Sequence, residues 1–166
     1  MGYKILVLCP YPENSVPGQR LKYEQYFEFL RDNNYEIQVS SFITVSFQNI
    51  IYSKGKFIRK VLWTLVGYFR RIYDLFRLPF YDGVYVHLYV TPFGPTFFEF
   101  LTKMLNKNII YDIDDMVFLK TKSVHNQPVS WLKGWGKMQY MMKHAKHVIT
   151  CTDMLDAHAR KYNQNT

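Results

Sequence analysis

Three carboxylates stand within four positions in the stretch YDIDDMVF, residues 111–118. Asp112, Asp114 and Asp115 follow an apolar run that is typical of a buried strand, and acidic residues seldom crowd such a strand end. A carboxylate there could accept hydrogen bonds from sugar hydroxyls, serve as a base or hold a divalent cation. The structural alternative is that one aspartate pairs with Arg20 or a lysine while the others cap turns.

The spacing gives the three side chains different directions. If the strand continues to Asp114, then Asp112 and Asp114 share one face of the sheet, and Asp115 points elsewhere or caps the next segment. Asp114 and Asp115 are the candidate catalytic residues. Asp112 and His125, which lies in the following loop, are the candidate substrate-binding residues. The Asp-Ile-Asp pattern is short, and the further oxygen ligands that a metal needs are not recognisable, so no metal site is predicted.

A second candidate is the loop CPYPENSVPGQR, residues 9–20, which carries a single glycine just before a helical pattern. It lacks the three glycines of a dinucleotide fingerprint and the Gly-Lys-Ser/Thr ending of a P-loop. What remains is a helix N-terminus, where Gly18 and Arg20 would favour an anion such as a phosphate. Alternatively, Gly18 is a turn residue and Arg20 a solvated side chain.

A third candidate is the stretch from Lys56 to Phe80, which predicts a long amphipathic helix. Its apolar side is formed by Ile58, Val61, Leu62, Leu65, Phe69, Ile72 and Phe76. Five residues on the other side fit docking onto anionic lipid headgroups: Arg59, Lys60, Trp63, Arg70 and Arg71. The alternative is a helix packed on the core with a solvated basic side.

Five strand patterns, which alternate with helical patterns, must position these candidates. The strands are predicted at 4–9, 36–42, 83–88, 108–112 and 147–151, and the helices at 19–32, 57–76, 95–105, 131–144 and 153–162. The alternation predicts a single α/β domain with a doubly wound, Rossmann-like parallel sheet, three layers and strand order 3-2-1-4-5. In that order strands 1 and 4 are neighbours where the winding reverses. The loop and the acidic segment would then flank one binding crevice.

Composition limits the protein class. The 166 residues suit one domain, and the net charge of +8 suggests an anionic partner. Cys9 and Cys151 are too few for a disulfide framework, which favours a reduced, cytosolic setting. No signal peptide or membrane span is recognisable. Nucleic-acid binding is disfavoured, because the basic residues gather on one helix and no recognition motif is present.

The order of several segments resembles the amino-terminal domain of GT-B-type glycosyltransferases, most closely family 4, the retaining "glycosyl transferase group 1" enzymes. These segments are Pro-Gly-Gln-Arg at 17–20 with the following RLKYEQYFEFLRDNNYEIQV, then YDGVYVHL, NIIYDIDDMVFL and HVITCTDMLDAHARKYN. Together they cover nearly the whole chain. Their order and spacing, more than any one motif, carry the resemblance.

The resemblance implies two facing Rossmann-like domains. Residues 1–166 would be the acceptor-side domain, and the donor domain, with its two spaced glutamates, would be absent. Gly18 matches the family's glycine-containing loop near the donor phosphates, and Arg20 matches a basic residue at the start of the first helix. Asp114 or Asp115 lies near where relatives place a polar residue facing the acceptor and the reacting carbon. This loop has one glycine where many relatives have two, and the aspartate cluster replaces a histidine that many relatives carry.

The resemblance also implies a hexosyltransferase of polysaccharide biosynthesis that takes a nucleotide sugar as co-substrate, with no metal or other cofactor. Its acceptor would be a sugar or a lipid-linked sugar. We expect the domain to be cytoplasmic or peripheral at the inner membrane face, and inactive without the donor domain. The alternative is a non-catalytic α/β module that binds a partner or an anionic membrane surface.

Overall fold

The computed structural model describes residues 2–53, 55–114 and 136–166. Its five strands lie close to the predicted ones: β1 Tyr3–Cys9, β2 Tyr35–Ser41, β3 Gly83–His87, β4 Ile109–Ile113 and β5 His147–Thr150. All neighbouring strands pair in parallel. The prediction of an α/β fold with one parallel sheet is therefore confirmed.

The helices of the described ranges are α1 Pro17–Lys22, α2 Phe27–Asp32, α3 Val45–Ile51, α4 Phe57–Arg77, α5 Phe97–Leu105, α6 Gly136–His144 and α7 Asp153–Ala159. Short 3₁₀ turns lie at Glu24–Tyr26 and Leu78–Phe80. The predicted helix over 19–32 is thus interrupted, and α3 has no counterpart among the predicted helices. The closing helix α7 is capped by Thr152, whose Oγ1 accepts a hydrogen bond from the Leu155 N–H.

The strand order differs from the predicted one. The sheet runs β2-β1-β3-β4-β5, so β3 lies between β1 and β4, and the predicted order 3-2-1-4-5 is wrong. The reason is the crossover from β2 to β3, which passes back over β1 instead of continuing outward from β2. The winding therefore reverses between β1 and β3, and the crevice of an open α/β sheet lies beyond the carboxyl ends of those two strands.

Each face of the sheet carries its own core. On one face, α1 and α2 pack with Tyr23 and Phe27 against Val7 and Cys9 of β1. On the other face, side chains of the later helices and of the 3₁₀ turn at Leu78–Phe80 pack over the inner strands; the fully buried strand residues there include Leu6, Leu8, Val84, Val86, Ile109 and Tyr111. Helices thus lie on both faces, as in a doubly wound sheet.

The edge strand β2 has one apolar and one polar side. Ile37 and Val39 point to the face covered by α1 and α2. Glu36, Gln38 and Ser40 alternate with them and point to the face where α4 lies. Because buried polar groups need hydrogen-bond partners, a helix that packs on this side must offer polar side chains.

Helix α4 meets that requirement by turning its polar side inward. Arg71 and Asp74 are almost fully buried, and Gly67 packs so closely that an added Cβ would lie 2.7 Å from the ring of Phe42. By contrast, the seven residues of its predicted apolar side are all exposed, from 41% at Ile72 to 74% at Phe76. The alternative considered for this helix, an apolar side packed on the core with a solvated basic side, is therefore wrong.

Candidate functional site

The loop after β1 is held in place by two buried side chains of the elements that follow it. Gln19 accepts a hydrogen bond from the Tyr11 N–H and donates one to the Tyr11 carbonyl. Glu24 accepts hydrogen bonds from the Asn14 N–H and the Gln19 amide. These contacts fix the start of α1 and, with it, the direction of the residues at the end of that helix.

Lys22 lies in the last turn of α1 and reaches the carboxyl end of β4. Its Nζ lies 2.7 Å from Oδ1 of Asp112 and 4.0 Å from Oδ2 of Asp114. The Asp112 side chain is fully buried, whereas the side chains of Lys22 and Asp114 are 18% and 32% exposed. The ammonium group therefore joins a buried carboxylate to one at the surface.

Strand β3 contributes two more polar groups between α1 and β4. Tyr85 and His87 alternate onto the same face, and His87 pairs in register with Asp112. The Tyr85 hydroxyl donates to Oδ2 of Asp112. His87 Nδ1 lies 3.5 Å from that same oxygen, and His87 Nε2 lies 3.8 Å from Oδ2 of Asp114. The imidazole thus stands between the two carboxylates.

The surroundings of Asp112 favour its charged form. Burial by itself would raise the pKa of the carboxyl, but interactions with His87, Lys22 and Tyr85 outweigh burial and lower the pKa. Burial, followed by the charge of Asp112, raises the pKa of the Tyr85 phenol, which therefore stays a hydrogen-bond donor. We take Asp112 to be a fixed anion that orients its neighbours.

Several contacts in this cluster are close but lack the direction of an ideal hydrogen bond. Among the described residues, Lys22 Nζ, His87 Nδ1 and Asp112 Oδ1 have no well-directed hydrogen bond, although Lys22 and Asp112 are close enough for an ion pair. Buried polar atoms in this state are uncommon and mark a place where a ligand or water can complete the network. We call Lys22, Tyr85, His87, Asp112 and Asp114 the carboxylate cluster.

A groove of about 1100 Å³ lies beside the carboxylate cluster. Lys22, Tyr85 and Asp112 contribute to its polar lining, and Ile110 and Ile149 belong to its apolar floor. This volume suffices for a drug-sized molecule or a short oligosaccharide. The groove therefore offers hydrogen-bonding groups and apolar contact area to one ligand.

The backbone directly after β3 is strained. Leu88 has a φ of 63°, and the Tyr89 N–H bonds back to the His87 carbonyl at 2.8 Å, which closes a three-residue turn. Two bonds from β4 hold the turn: Leu88 N–H to the Asp112 carbonyl, and the Tyr111 hydroxyl to the Leu88 carbonyl. Strain of this kind is kept where neighbouring structure enforces it, often at functional edges.

The structure brings together only some of the residues expected from the sequence. Asp112 and Asp114 lie on one side and share Lys22, as the alternation predicted. Arg20 is exposed and its side chain makes no hydrogen bond or ion pair within the described residues, and an added Cβ at Gly18 would meet nothing within 4 Å. The cation beside the aspartates is therefore Lys22, which corresponds to the structural alternative of an aspartate paired with a lysine.

Two further site predictions, Asp115 and His125, lie outside the described residues. Within residues 2–53, 55–114 and 136–166, no group of three or more His, Cys, Asp or Glu side chains is placed to hold a metal ion.

The predicted membrane-facing residues of α4 are also divided. Arg71 is buried and donates to the carbonyls of Cys9, Ser40 and Val90, so its placement among surface cations is corrected. Trp63 packs against the cluster around Phe42. The remaining three occupy different positions: Arg59 is exposed, Arg70 is half-buried, and half-buried Lys60 donates to the Ser53 carbonyl.

Sequence reasoning missed Lys22, Tyr85 and His87. The signal for Tyr85 and His87 was their alternation toward the end of a strand, which places both on one face. Because β3 lies beside β1 in the sheet, the end of β3 that carries His87 borders the point where the winding reverses. The wrong strand order had placed His87 two strands away from this point, which hid its role.

Comparison of the chain with protein-family models, with curated proteins and with solved structures finds no match.

Proposed function

We propose that this chain is the acceptor-side domain of a retaining, GT-B-type glycosyltransferase that transfers a hexose from a nucleotide sugar to a sugar or lipid-linked acceptor. The observation that carries the proposal is the carboxylate cluster, a row of ammonium, imidazole and carboxylate groups at the carboxyl ends of β3 and β4, three of whose members line a groove that follows one face of the sheet. Carboxylates and imidazoles are the side chains that accept hydrogen bonds from sugar hydroxyls. The resemblance described for the sequence supports the same reaction class.

Each group of the carboxylate cluster has a separate part in this proposal. Asp114, at the surface, accepts a hydrogen bond from the hydroxyl of the acceptor. His87, 3.8 Å from Asp114, orients that carboxylate and is itself held by Asp112. Lys22 offsets negative charge, either of an acceptor phosphate or of the donor. Asp112 is a positioning residue, because its side chain is fully buried.

The donor phosphates belong to the proposed partner domain, with Gly18 and Arg20 as the nearest contribution from this chain. Both are exposed, so both are accessible to a ligand that approaches α1 from outside. In this proposal the domain works in the cytoplasm or at the inner face of a membrane, where lipid-linked acceptors are found.

The test is a ¹⁵N–¹H NMR titration of the chain with a panel of octyl hexosides and, separately, with UDP-hexoses. We expect the octyl hexosides to shift the resonances of Lys22, His87 and Asp114, and UDP-hexoses to cause smaller changes. Asp114→Asn removes a charged acceptor and should weaken glycoside binding about tenfold, since a hydrogen bond to a charged group contributes about 1.5–3 kcal/mol.

Asp32→Asn is the matched control. It makes the same chemical change at an exposed residue, at the end of α2 and away from the groove. The proposal is wrong if no glycoside binds, or if Asp114→Asn and Asp32→Asn bind glycosides equally well. Absence of sugar binding would favour the alternative, a non-catalytic module that binds a partner or a membrane. Formation of glycoside by the purified chain alone would contradict the assignment of the donor site to another domain.

A further inference from the structure

Helix α4 presents a long apolar surface to solvent. Its exposed apolar residues recur at alternating spacings of four and three, and we call this set the outer stripe: Ile58, Leu62, Leu65, Phe69, Ile72 and Phe76. Val61, Val66 and Tyr73 are exposed beside it and widen it. The 21 residues of the helix extend about 31 Å at 1.5 Å per residue. An exposed apolar surface of this length marks a site of interaction.

Contacts on the inner side fix the rotation of α4. Arg71 donates to three backbone carbonyls and to Asp74, and the Lys60 ammonium donates to the Ser53 carbonyl. Gly67 lies against Phe42 at a distance that only a glycine allows. Rotation of the outer stripe into the protein would break all of these contacts. Within the described residues, the stripe therefore faces away from the core.

The charge that α4 shows to solvent is positive. Lys56 and Arg59 are exposed at its start, and Arg70 is half-buried further along. Arg59 and Arg70 are eleven positions apart, which places them within about 20° of each other on the helix, along one edge of the outer stripe. The single acid of the helix, Asp74, is buried and paired with Arg71. No acidic side chain of α4 therefore balances these surface cations.

This charge pattern argues against a second copy of the chain as the occupant of the outer stripe. Two copies packed stripe to stripe would bring arginines together without acidic partners from α4. Paired helices also carry opposite charges at the positions flanking their apolar seam, whereas α4 has Val61, Val66 and Tyr73 there. A negatively charged apolar interface fits both the stripe and its arginines.

Because the apolar residues lie on one side of α4, the helix can take only one orientation at a membrane. A helix that is apolar on one side and charged on the other lies in the plane of the bilayer interface. Within the described residues, no helix combines the length and the apolar character needed to cross a membrane.

We propose that α4 lies in the interface of an anionic membrane, with the outer stripe against the acyl chains and with Arg59 and Arg70 among the headgroups. This contact is made through the apolar side of the helix, whereas the sequence had suggested its basic side with Trp63 and Arg71. The proposal goes beyond glycosyl transfer and does not depend on sugar binding, because it rests on α4 alone.

The first test is co-sedimentation of the chain with phosphatidylcholine vesicles prepared with and without phosphatidylglycerol. We expect binding to the vesicles that contain phosphatidylglycerol. Phe69→Glu should lower partitioning about tenfold or more, because a buried phenylalanine contributes about 1.5–3 kcal/mol. Arg59→Glu and Arg70→Glu should each lower it about fivefold, and only on anionic vesicles. Phe29→Glu is the matched control, since Phe29 is an equally exposed phenylalanine on α2 and should bind as wild type.

A second test reports the environment of the stripe directly. A polarity-sensitive NBD label on Phe69→Cys, in a Cys151→Ser background, should shift to the blue on anionic vesicles, and the same label on Phe29→Cys should not. Labelling at the native Cys9 is suppressed, because burial raises the pKa of that thiol to about 11.

Three outcomes would overturn the proposal: no vesicle binding by the wild-type chain, equal binding by Phe69→Glu, or an unchanged NBD spectrum on anionic vesicles. Self-association in light scattering that is lost in Phe69→Glu, without vesicle binding, would assign the stripe to a second copy. Circular dichroism of each variant checks that its fold is retained, which is expected because the substituted side chains are exposed or, at Arg70, half-buried.

Discussion

Two ion-pair clusters lie at the same edge of the sheet and are built in opposite ways. Arg71 of α4 joins the ends of β1 and β2 and the loop after β3, and each of its nitrogen atoms donates a hydrogen bond. The carboxylate cluster around Lys22 joins the ends of β3 and β4 to α1, yet several of its atoms lack a well-directed hydrogen bond within the described residues. Within the described residues, the Arg71 cluster is therefore held by hydrogen bonds from every guanidinium nitrogen, whereas the carboxylate cluster is held mainly by ion pairs between side chains.

The difference separates a structural role from a functional one. The Arg71 guanidinium is buried, and its acceptors are mostly backbone carbonyls, which cannot move without displacing strands. The members of the carboxylate cluster are side chains, and two of them, Lys22 and Asp114, reach the surface. A buried group with complete hydrogen bonding mainly fixes the fold, whereas a partly exposed and incompletely bonded group can change partners when a ligand arrives.

The largest effect on stability should come from the complete cluster. Arg71→Met removes the guanidinium that donates to the Asp74 carboxylate and to three backbone carbonyls, so we expect the free energy of unfolding to fall by about 3–5 kcal/mol. Chemical denaturation measures it. Arg71→Lys keeps the charge but cannot span the same carbonyls, and should lose a large part of this amount.

Arg59→Met is the control for Arg71→Met, because Arg59 is an exposed arginine on the same helix and its replacement should change stability by less than about 0.5 kcal/mol. If Arg71→Met were as stable as Arg59→Met, the Arg71 cluster would not hold the strand ends, and the contrast between the two clusters would fail.

A smaller loss of stability is expected from a substitution in the carboxylate cluster. Asp112→Asn removes the charge that Lys22 faces, but the Lys22 side chain is 18% exposed and can turn toward water. We expect the free energy of unfolding to fall by about 1–3 kcal/mol. The double variant with Lys22→Met should recover part of the loss, because it removes the uncompensated ammonium. A loss larger than that of Arg71→Met would reverse the comparison.

The same carboxylate should make stability depend on acidity. The pKa of Asp112 in the folded protein is below its ordinary value of 3.8, so its stabilising contribution is complete above that pH and is lost as the pH falls through the lower, folded value. The stability difference between wild type and Asp112→Asn should therefore be constant near neutral pH and shrink as the pH falls below 3.8. Urea denaturation at a series of pH values measures it, and a difference that stays constant would show that Asp112 is not held charged.

The sequence was sufficient to predict the strands and their parallel arrangement, because both depend on local patterns. Continuous apolar runs such as Leu6 to Leu8 can only be buried on both faces. Strand order depends on how a long connection crosses the sheet, and that is not a local property. One local sign was present: β2 alternates polar and apolar residues, as an edge strand does, whereas β3 is buried along most of its length.

The rotation of α4 shows why an apolar pattern alone does not identify the core. Seven apolar residues with helical spacing are typical of a buried helix side. However, the side of β2 that faces α4 carries the polar residues Glu36, Gln38 and Ser40, which an apolar helix side cannot pair with. A helix and the strand beneath it must be judged together. For the same reason Asp112 and Asp114 could be predicted from their own spacing, while Lys22 required the direction of α1.

The smallest predicted effect concerns Gly18, and it distinguishes a ligand role from a structural one. An added Cβ would meet nothing within 4 Å, and Gly18 lies inside α1, where alanine is the better helix former. Gly18→Ala should therefore raise the free energy of unfolding by up to about 1 kcal/mol, measured by thermal or urea denaturation. Gly67→Ala is the opposing control, because its Cβ would collide with Phe42 and should destabilise the protein. If Gly18→Ala destabilised the protein, α1 would differ from the structure. If it stabilised the protein but weakened binding of a phosphate-bearing ligand, the ligand would approach the backbone closely at this glycine.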